Sequence, residues 1–161
     1  MALPFETILV VEDHSALLRL VKQILEDANF TVIPATTPKQ AIRLEAEYPG
    51  TIDLLLTDVR MRGMSGPNLA KRLQQSRPQM RVMLMSGYPG GDLLVLDYGW
   101  HYIEKPFVPA ALVSKIKDVL WGETREQATD RFKTPKARRR PVGRVSLDVR
   151  SPISSRVQRR A

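Results

Sequence analysis

Ile52-Asp53-Leu54-Leu55-Leu56-Thr57-Asp58-Val59-Arg60-Met61-Arg62-Gly63-Met64-Ser65-Gly66-Pro67 is the stretch on which the fold turns. Its first five residues, Ile52 to Leu56, read as a short buried strand that ends at Thr57-Asp58. The segment from Gly63 to Pro67 then turns the chain into a helix expected from about Gly66 to Ser76. Strand, acidic end, turn and helix together make one unit of an alternating α/β fold.

The same unit repeats on either side. Toward the N-terminus, Ile8-Leu9-Val10-Val11 is an apolar run followed by Glu12-Asp13. Leu17, Leu18, Leu20, Val21, Ile24, Leu25 and Ala28 then recur at helical spacing, which predicts a helix from Ser15 to Asn29 with Asp13 or Ser15 as its N-cap. Phe30 to Ile33 reads as the second strand. Thr37-Pro38 opens a helix that runs to about Tyr48 and stops at Pro49-Gly50. Toward the C-terminus, Arg81 to Met85 is the fourth strand, and Ser86 to Gly91 a loop. Leu93 to Leu96 is expected as a short helix, Tyr102 to Glu104 as the fifth strand, and Pro109 to about Leu120 as the last helix. Strands joined in order by helices predict a doubly wound, five-stranded parallel sheet. In such sheets ligands sit beyond the carboxyl ends of the strands, at the point where the strand order reverses.

Four of those ends carry reactive residue types. Glu12 and Asp13 follow the first strand, Asp58 ends the third, Ser86 the fourth and Lys105 the fifth. Each alone is an ordinary turn, cap or surface residue. Their joint occurrence along one edge is the signal, because it supplies what phosphoryl chemistry requires. Three clustered carboxylates repel one another, and a hard divalent cation such as Mg²⁺ relieves that repulsion. Asp58 can then attack a phosphoryl donor, while Lys105 offers a point charge and Ser86 a hydroxyl to the phosphoryl oxygens.

At these residues the chain resembles the response-regulator receiver family, over about residues 5–121. The matching motifs are Glu12-Asp13 after Ile8 to Val11, the run Leu55 to Gly66, Met85-Ser86-Gly87-Tyr88, and Glu104-Lys105-Pro106-Phe107. The resemblance implies a flavodoxin-like five-stranded fold and phosphorylation of Asp58 by a histidine kinase or a histidine phosphotransfer protein. It implies Mg²⁺ held by Asp13, Asp58 and the backbone carbonyl of Arg60, with Glu12 assisting through water. It makes Ser86 and Lys105 the readers of the phosphoryl group, Tyr102 the switch aromatic, and Lys105-Pro106 a cis peptide. Such a domain promotes its own phosphorylation and dephosphorylation and is otherwise not an enzyme. The segment Met83 to Tyr88 most resembles receivers attached to, or partnered with, hybrid histidine kinases. Two departures stand out. The stretch from Ser86 to Lys105 is short and holds Gly87, Pro89, Gly90, Gly91 and Gly99, all poor helix material. Arg62 stands after Met61 where the family usually has proline.

Charge divides the chain. Of the net +8 over 161 residues, residues 1–121 contribute nothing, with 13 basic and 13 acidic residues, whereas residues 122–161 carry 12 basic and 4 acidic ones. The break at Trp121-Gly122 separates a receiver domain, 1–121, from a basic tail, 122–161, whose prolines and serines predict disorder. The tail lacks the length and periodicity of a DNA-binding domain, yet its arginines could engage nucleic acid, which makes a nucleic-acid-binding regulator the alternative to a protein-signalling receiver. A phosphatase with an aspartyl-phosphate intermediate fits less well, because Arg60 stands where its second catalytic aspartate belongs. Cysteine is absent, so disulfides, thiolate metal sites and cysteine nucleophiles are excluded. No apolar run nears the ~20 residues of a membrane span, and the N-terminus lacks a signal-peptide pattern, so a cytoplasmic location is expected.

Overall fold

The computed structural model describes residues 5–87 and 98–130, with residues 123–130 described by backbone alone. Five strands, β1 (Thr7–Val11), β2 (Thr31–Ala35), β3 (Leu54–Asp58), β4 (Arg81–Ser86) and β5 (His101–Glu104), form one parallel sheet in the order β2-β1-β3-β4-β5. Four described helices pack on it: α1 (Ser15–Asp27), α2 (Pro38–Glu47), α3 (Gly66–Ser76) and α4 (Pro109–Asp130). This is the doubly wound sheet expected. Pro34 lies within β2, an edge strand, where a missing N–H is tolerated.

Alternation along the strands builds two cores. Ile8, Val10, Leu54, Leu56, Met83 and Met85 face α1 and α4, meeting Val21, Leu25, Leu112 and Ile116. Leu9, Val11, Leu55, Val82 and Leu84 face the other way, toward Ala41 of α2 and Leu69 and Leu73 of α3. Strands buried on both sides explain why β1 and β3 read as continuous apolar runs.

Three local expectations change. The cap of α1 is neither Asp13 nor Ser15 but His14, whose Nδ1 accepts from the Leu17 amide at 3.3 Å. The helix stops at Asp27 because Asn29 takes a left-handed conformation (φ 68°), which closes the helix end and turns the chain into β2. At the other end, the last helix, expected to stop at about Leu120, continues to Asp130 as α4. Change of charge does not break a helix, and Glu, Arg, Gln and Ala in this segment are good helix formers. Trp121 lies within this helix, stacked on Phe30 and donating its indole N–H to Glu6 at 2.8 Å. The expected loop beyond Gly87, the short helix at Leu93–Leu96 and the basic residues 131–161 lie outside the described residues.

Candidate functional site

Sheet register brings the site together. β1 and β3 are neighbours at which the chain order reverses, and Val11 pairs with Thr57. The next residues, Glu12 and Asp58, therefore emerge side by side at the carboxyl edge, with Asp13 just beyond. Oxygens of all three carboxylates lie within 4.8 Å of one another. On the other flank of β3, Asp58 pairs with Met85, and Ser86 follows at the end of β4. Ser86 in turn pairs with Glu104, which sets Lys105 at the end of β5.

Lys105 is the hub. Its Nζ donates to Oε2 of Glu12 and to Oδ1 of Asp58, each at 2.7 Å. Glu12 is almost fully buried and Asp58 nearly so, whereas Asp13 is exposed. Burial alone would lower the Lys105 pKa, but hydrogen bonds and charge from Asp58 and Glu12 outweigh it and raise the pKa above 10.5. The ammonium is therefore a fixed cation at neutral pH. The remaining carboxylate oxygens are also engaged: Oε1 of Glu12 accepts from the His14 amide, and Oδ2 of Asp58 accepts from the Arg60 amide, both at 3.1 Å. Held at both oxygens, Asp58 has one orientation.

Ser86 and Tyr102 meet through the main chain. The Tyr102 hydroxyl donates to the Ser86 carbonyl at 3.3 Å, and the same carbonyl accepts from the Lys105 amide at 2.7 Å. Tyr102 is half-buried against the α3-side core, two residues beyond the buried Trp100. The peptide bond Lys105-Pro106 is cis. Glu12, Asp13, Asp58, Ser86 and Lys105 thus lie along one edge of the sheet, with Tyr102 joined to Ser86 from within β5. Arg60 meets Asp58 through its amide.

Two participants were not legible as such. Thr57, fully buried, donates its hydroxyl to the Asp58 carbonyl at 3.1 Å. Gly66, at the start of α3, donates its amide to Val59 O at 3.0 Å and backs directly onto Asp58. A Cβ at Gly66 would collide with the Asp58 carbonyl oxygen and come within 3.0 Å of its carbonyl carbon. The only sequence signal was a glycine at a helix start close behind the acceptor strand. Backbone cannot yield as a flexible side chain can, so Gly66→Ala should lower stability by about 1–3 kcal/mol, read as an earlier urea midpoint. An unchanged midpoint would contradict this packing.

A doubly wound sheet with a lysine-bridged acidic cluster at its switch point defines a class of aspartate-bearing signalling domain, and the comparisons agree. The model of the response regulator receiver domain matches residues 8–117. This chain belongs to that family, one of signalling domains rather than of enzymes. It is 29% identical over 117 residues to the sensor kinase CckA of Brucella abortus (strain 2308), covering 71% of this chain and 12% of that protein. It is 35% identical over 125 residues to the transcriptional regulatory protein CpxR of Escherichia coli (strain K12), covering 74% and 53%. Among solved structures, the receiver domain of the hybrid histidine kinase CckA superposes with a TM-score of 0.62 at 32% identity, covering 71% of this chain and 98% of that one. The chain thus spans about half or less of these curated relatives, and nearly all of the isolated receiver. Likeness to a hybrid-kinase receiver agrees with the motif reading of Met83 to Tyr88. Among the described residues no helix is long and apolar enough to cross a membrane.

Proposed function

We propose that Asp58 is the phosphoacceptor of this receiver, with a histidine kinase or a histidine phosphotransfer protein as donor. The observation that carries the reading is Lys105 Nζ at 2.7 Å from both Glu12 and Asp58, beside Asp13, at the switch point of the sheet. In the transfer, one Asp58 oxygen forms a bond to phosphorus as the donor's N–P bond breaks, and the electron pair returns to the donor imidazole. Lys105 leaves its carboxylate partner to meet a phosphoryl oxygen, and Ser86 offers its hydroxyl to another. Nothing else in the reaction needs a protein catalyst beyond position and charge. Phosphoryl acceptance resides in residues 1–121 and works in the cytoplasm, where such donors act.

The donor set fits a hard divalent cation, since all three side chains offer carboxylate oxygen and two are held in place by hydrogen bonds. Asp13, Asp58 and the Arg60 carbonyl would hold Mg²⁺, with Glu12 assisting through water. The ion would neutralise charge on the transferring group. At a Mg²⁺ concentration ten times its Kd, binding to the folded state alone adds about 1.4 kcal/mol of stability. The melting temperature should accordingly rise with millimolar Mg²⁺ in wild type and stay flat in Asp13→Asn. A flat wild-type response would count against the metal site.

The signal follows from Ser86. A phosphoryl group that draws the Ser86 hydroxyl also pulls the carbonyl to which Tyr102 and Lys105 are tied. Ser86→Ala should still accept phosphate yet give a blunted response at Tyr102. Amide NMR with and without beryllofluoride, which mimics the phosphoryl group, reads this. The full wild-type pattern of shifts around Tyr102 in Ser86→Ala would refute the coupling.

A further inference from the structure

Beside the acceptor site lies a second feature that phosphoryl transfer does not use. A cleft of about 380 Å³ opens between α2 and α3, with Pro38, Ile42 and Met64 as its apolar wall. Three elements each supply one cation to its rim: Lys39 from α2, Arg62 from the loop after β3, and Arg72 from α3. All three are exposed, and none makes an ion pair or hydrogen bond among the described residues. By contrast, Arg43 of α2 pairs with Glu47, and Arg77, the cap residue after α3, pairs with Glu45. The cleft itself contains no acidic residue. Through Arg62 and Pro38 it runs into a neighbouring cleft of about 480 Å³ that reaches His14 and Asp13. An occupant would therefore sit at the rim of the acceptor site.

We propose that this groove docks an acidic, leucine-bearing segment of a protein partner. Unpaired cations around a small apolar pocket suit an aliphatic side chain flanked by carboxylates, since one inserts while the others neutralise the rim. Nucleic acid is the poorer occupant. The cleft offers no aromatic ring for a base to stack on, and its wall is aliphatic. Residues 131–161 carry a net positive charge, the same sign as the rim, which makes them a poor match for it. Phosphorylation of Asp58 is not assumed, so the proposal stands or falls independently of the acceptor assignment.

The test uses the full chain and a fluorescein-labelled helical peptide of leucine and glutamate, with leucine on one face. Matched probes are a leucine–lysine peptide and a single-stranded oligothymidylate. Amide NMR locates each probe. The expected result is saturable binding of the acidic peptide that weakens with added salt. Shifts should cluster at residues 37–42, 62–64 and 72. Arg62→Ala alone should weaken binding up to about fivefold, and Arg62→Glu with Arg72→Glu should weaken it at least tenfold with the melting temperature unchanged. If the double variant melts early, Arg62→Ala with Lys39→Ala takes its place. Shifts confined to residues 131–161, affinity untouched by these replacements, absence of saturable binding, or tighter binding of the oligonucleotide in the groove would each overturn the proposal.

Discussion

Asp58→Asn will accept no phosphoryl group from acetyl phosphate or from a phosphorylated kinase, while folding as wild type does. The substitution keeps the shape of the side chain and removes the nucleophile. An amide oxygen is a poor nucleophile, and the amide NH₂ would set a donor against either the Lys105 ammonium or the Arg60 amide. No neighbouring carboxylate can take over. Glu12 lies buried, with Oε2 on Lys105 and Oε1 on the His14 amide. Asp13 is exposed and sits beyond the strand end rather than on it. The expected loss is therefore complete on the timescale of wild-type labelling. A phosphate-affinity gel reads it, and a shifted band in Asp58→Asn would show a different acceptor.

Lys105→Met carries the second large effect, on stability as well as on chemistry. Removing the ammonium leaves Glu12 and Asp58 facing each other at a buried edge, each short of the donor that sat 2.7 Å away. Breaking a buried ion pair from one side costs about 3 kcal/mol. Mg²⁺ should recover part of the loss in this variant, because it answers the same repulsion. The pH dependence has a definite sign. The Lys105 pKa is raised in the folded state, so its stabilisation is fully present below the ordinary lysine value of 10.5 and is lost as pH climbs through the higher folded value. Wild type should thus lose its advantage over Lys105→Met only in strongly alkaline solution. Urea unfolding at pH 7.5 and pH 11 measures this. The gap between the two proteins should be narrower at the higher pH, and a gap as wide as at pH 7.5 or wider would contradict the assignment.

What could be read from the chain was what local pattern and residue type determine. β1 and β3 announced themselves as apolar runs, and α3 as an amphipathic helix from Gly66 to Ser76. Glu12, Asp13, Asp58, Ser86 and Lys105 were visible because a parallel sheet sends its strand ends to one edge. Contacts made across the fold were not visible in this way. Nothing in the neighbourhood of His14 distinguished it from Asp13 or Ser15 as a cap, since the choice depends on how β1 delivers the chain into α1. The end of α4 was misplaced because charge composition changes at Trp121 while helix propensity does not. Gly66 reads as a turn glycine until the Asp58 carbonyl is found against it. Lys39, Arg62 and Arg72 are 23 and 10 residues apart in sequence and become one rim only when α2 packs beside α3. The tether from Tyr102 to the Ser86 carbonyl likewise depends on the pairing of β4 with β5.

The central claim is that the phosphoryl group resides on Asp58. Sodium borohydride reduces an aspartyl phosphate to homoserine and so marks the acceptor by mass. Wild-type protein incubated with acetyl phosphate and Mg²⁺, treated with borohydride, digested and sequenced by tandem mass spectrometry should show homoserine at position 58 and at no other aspartate. Homoserine at Asp13, a reduced glutamate at position 12, or labelling that survives in Asp58→Asn would contradict the account.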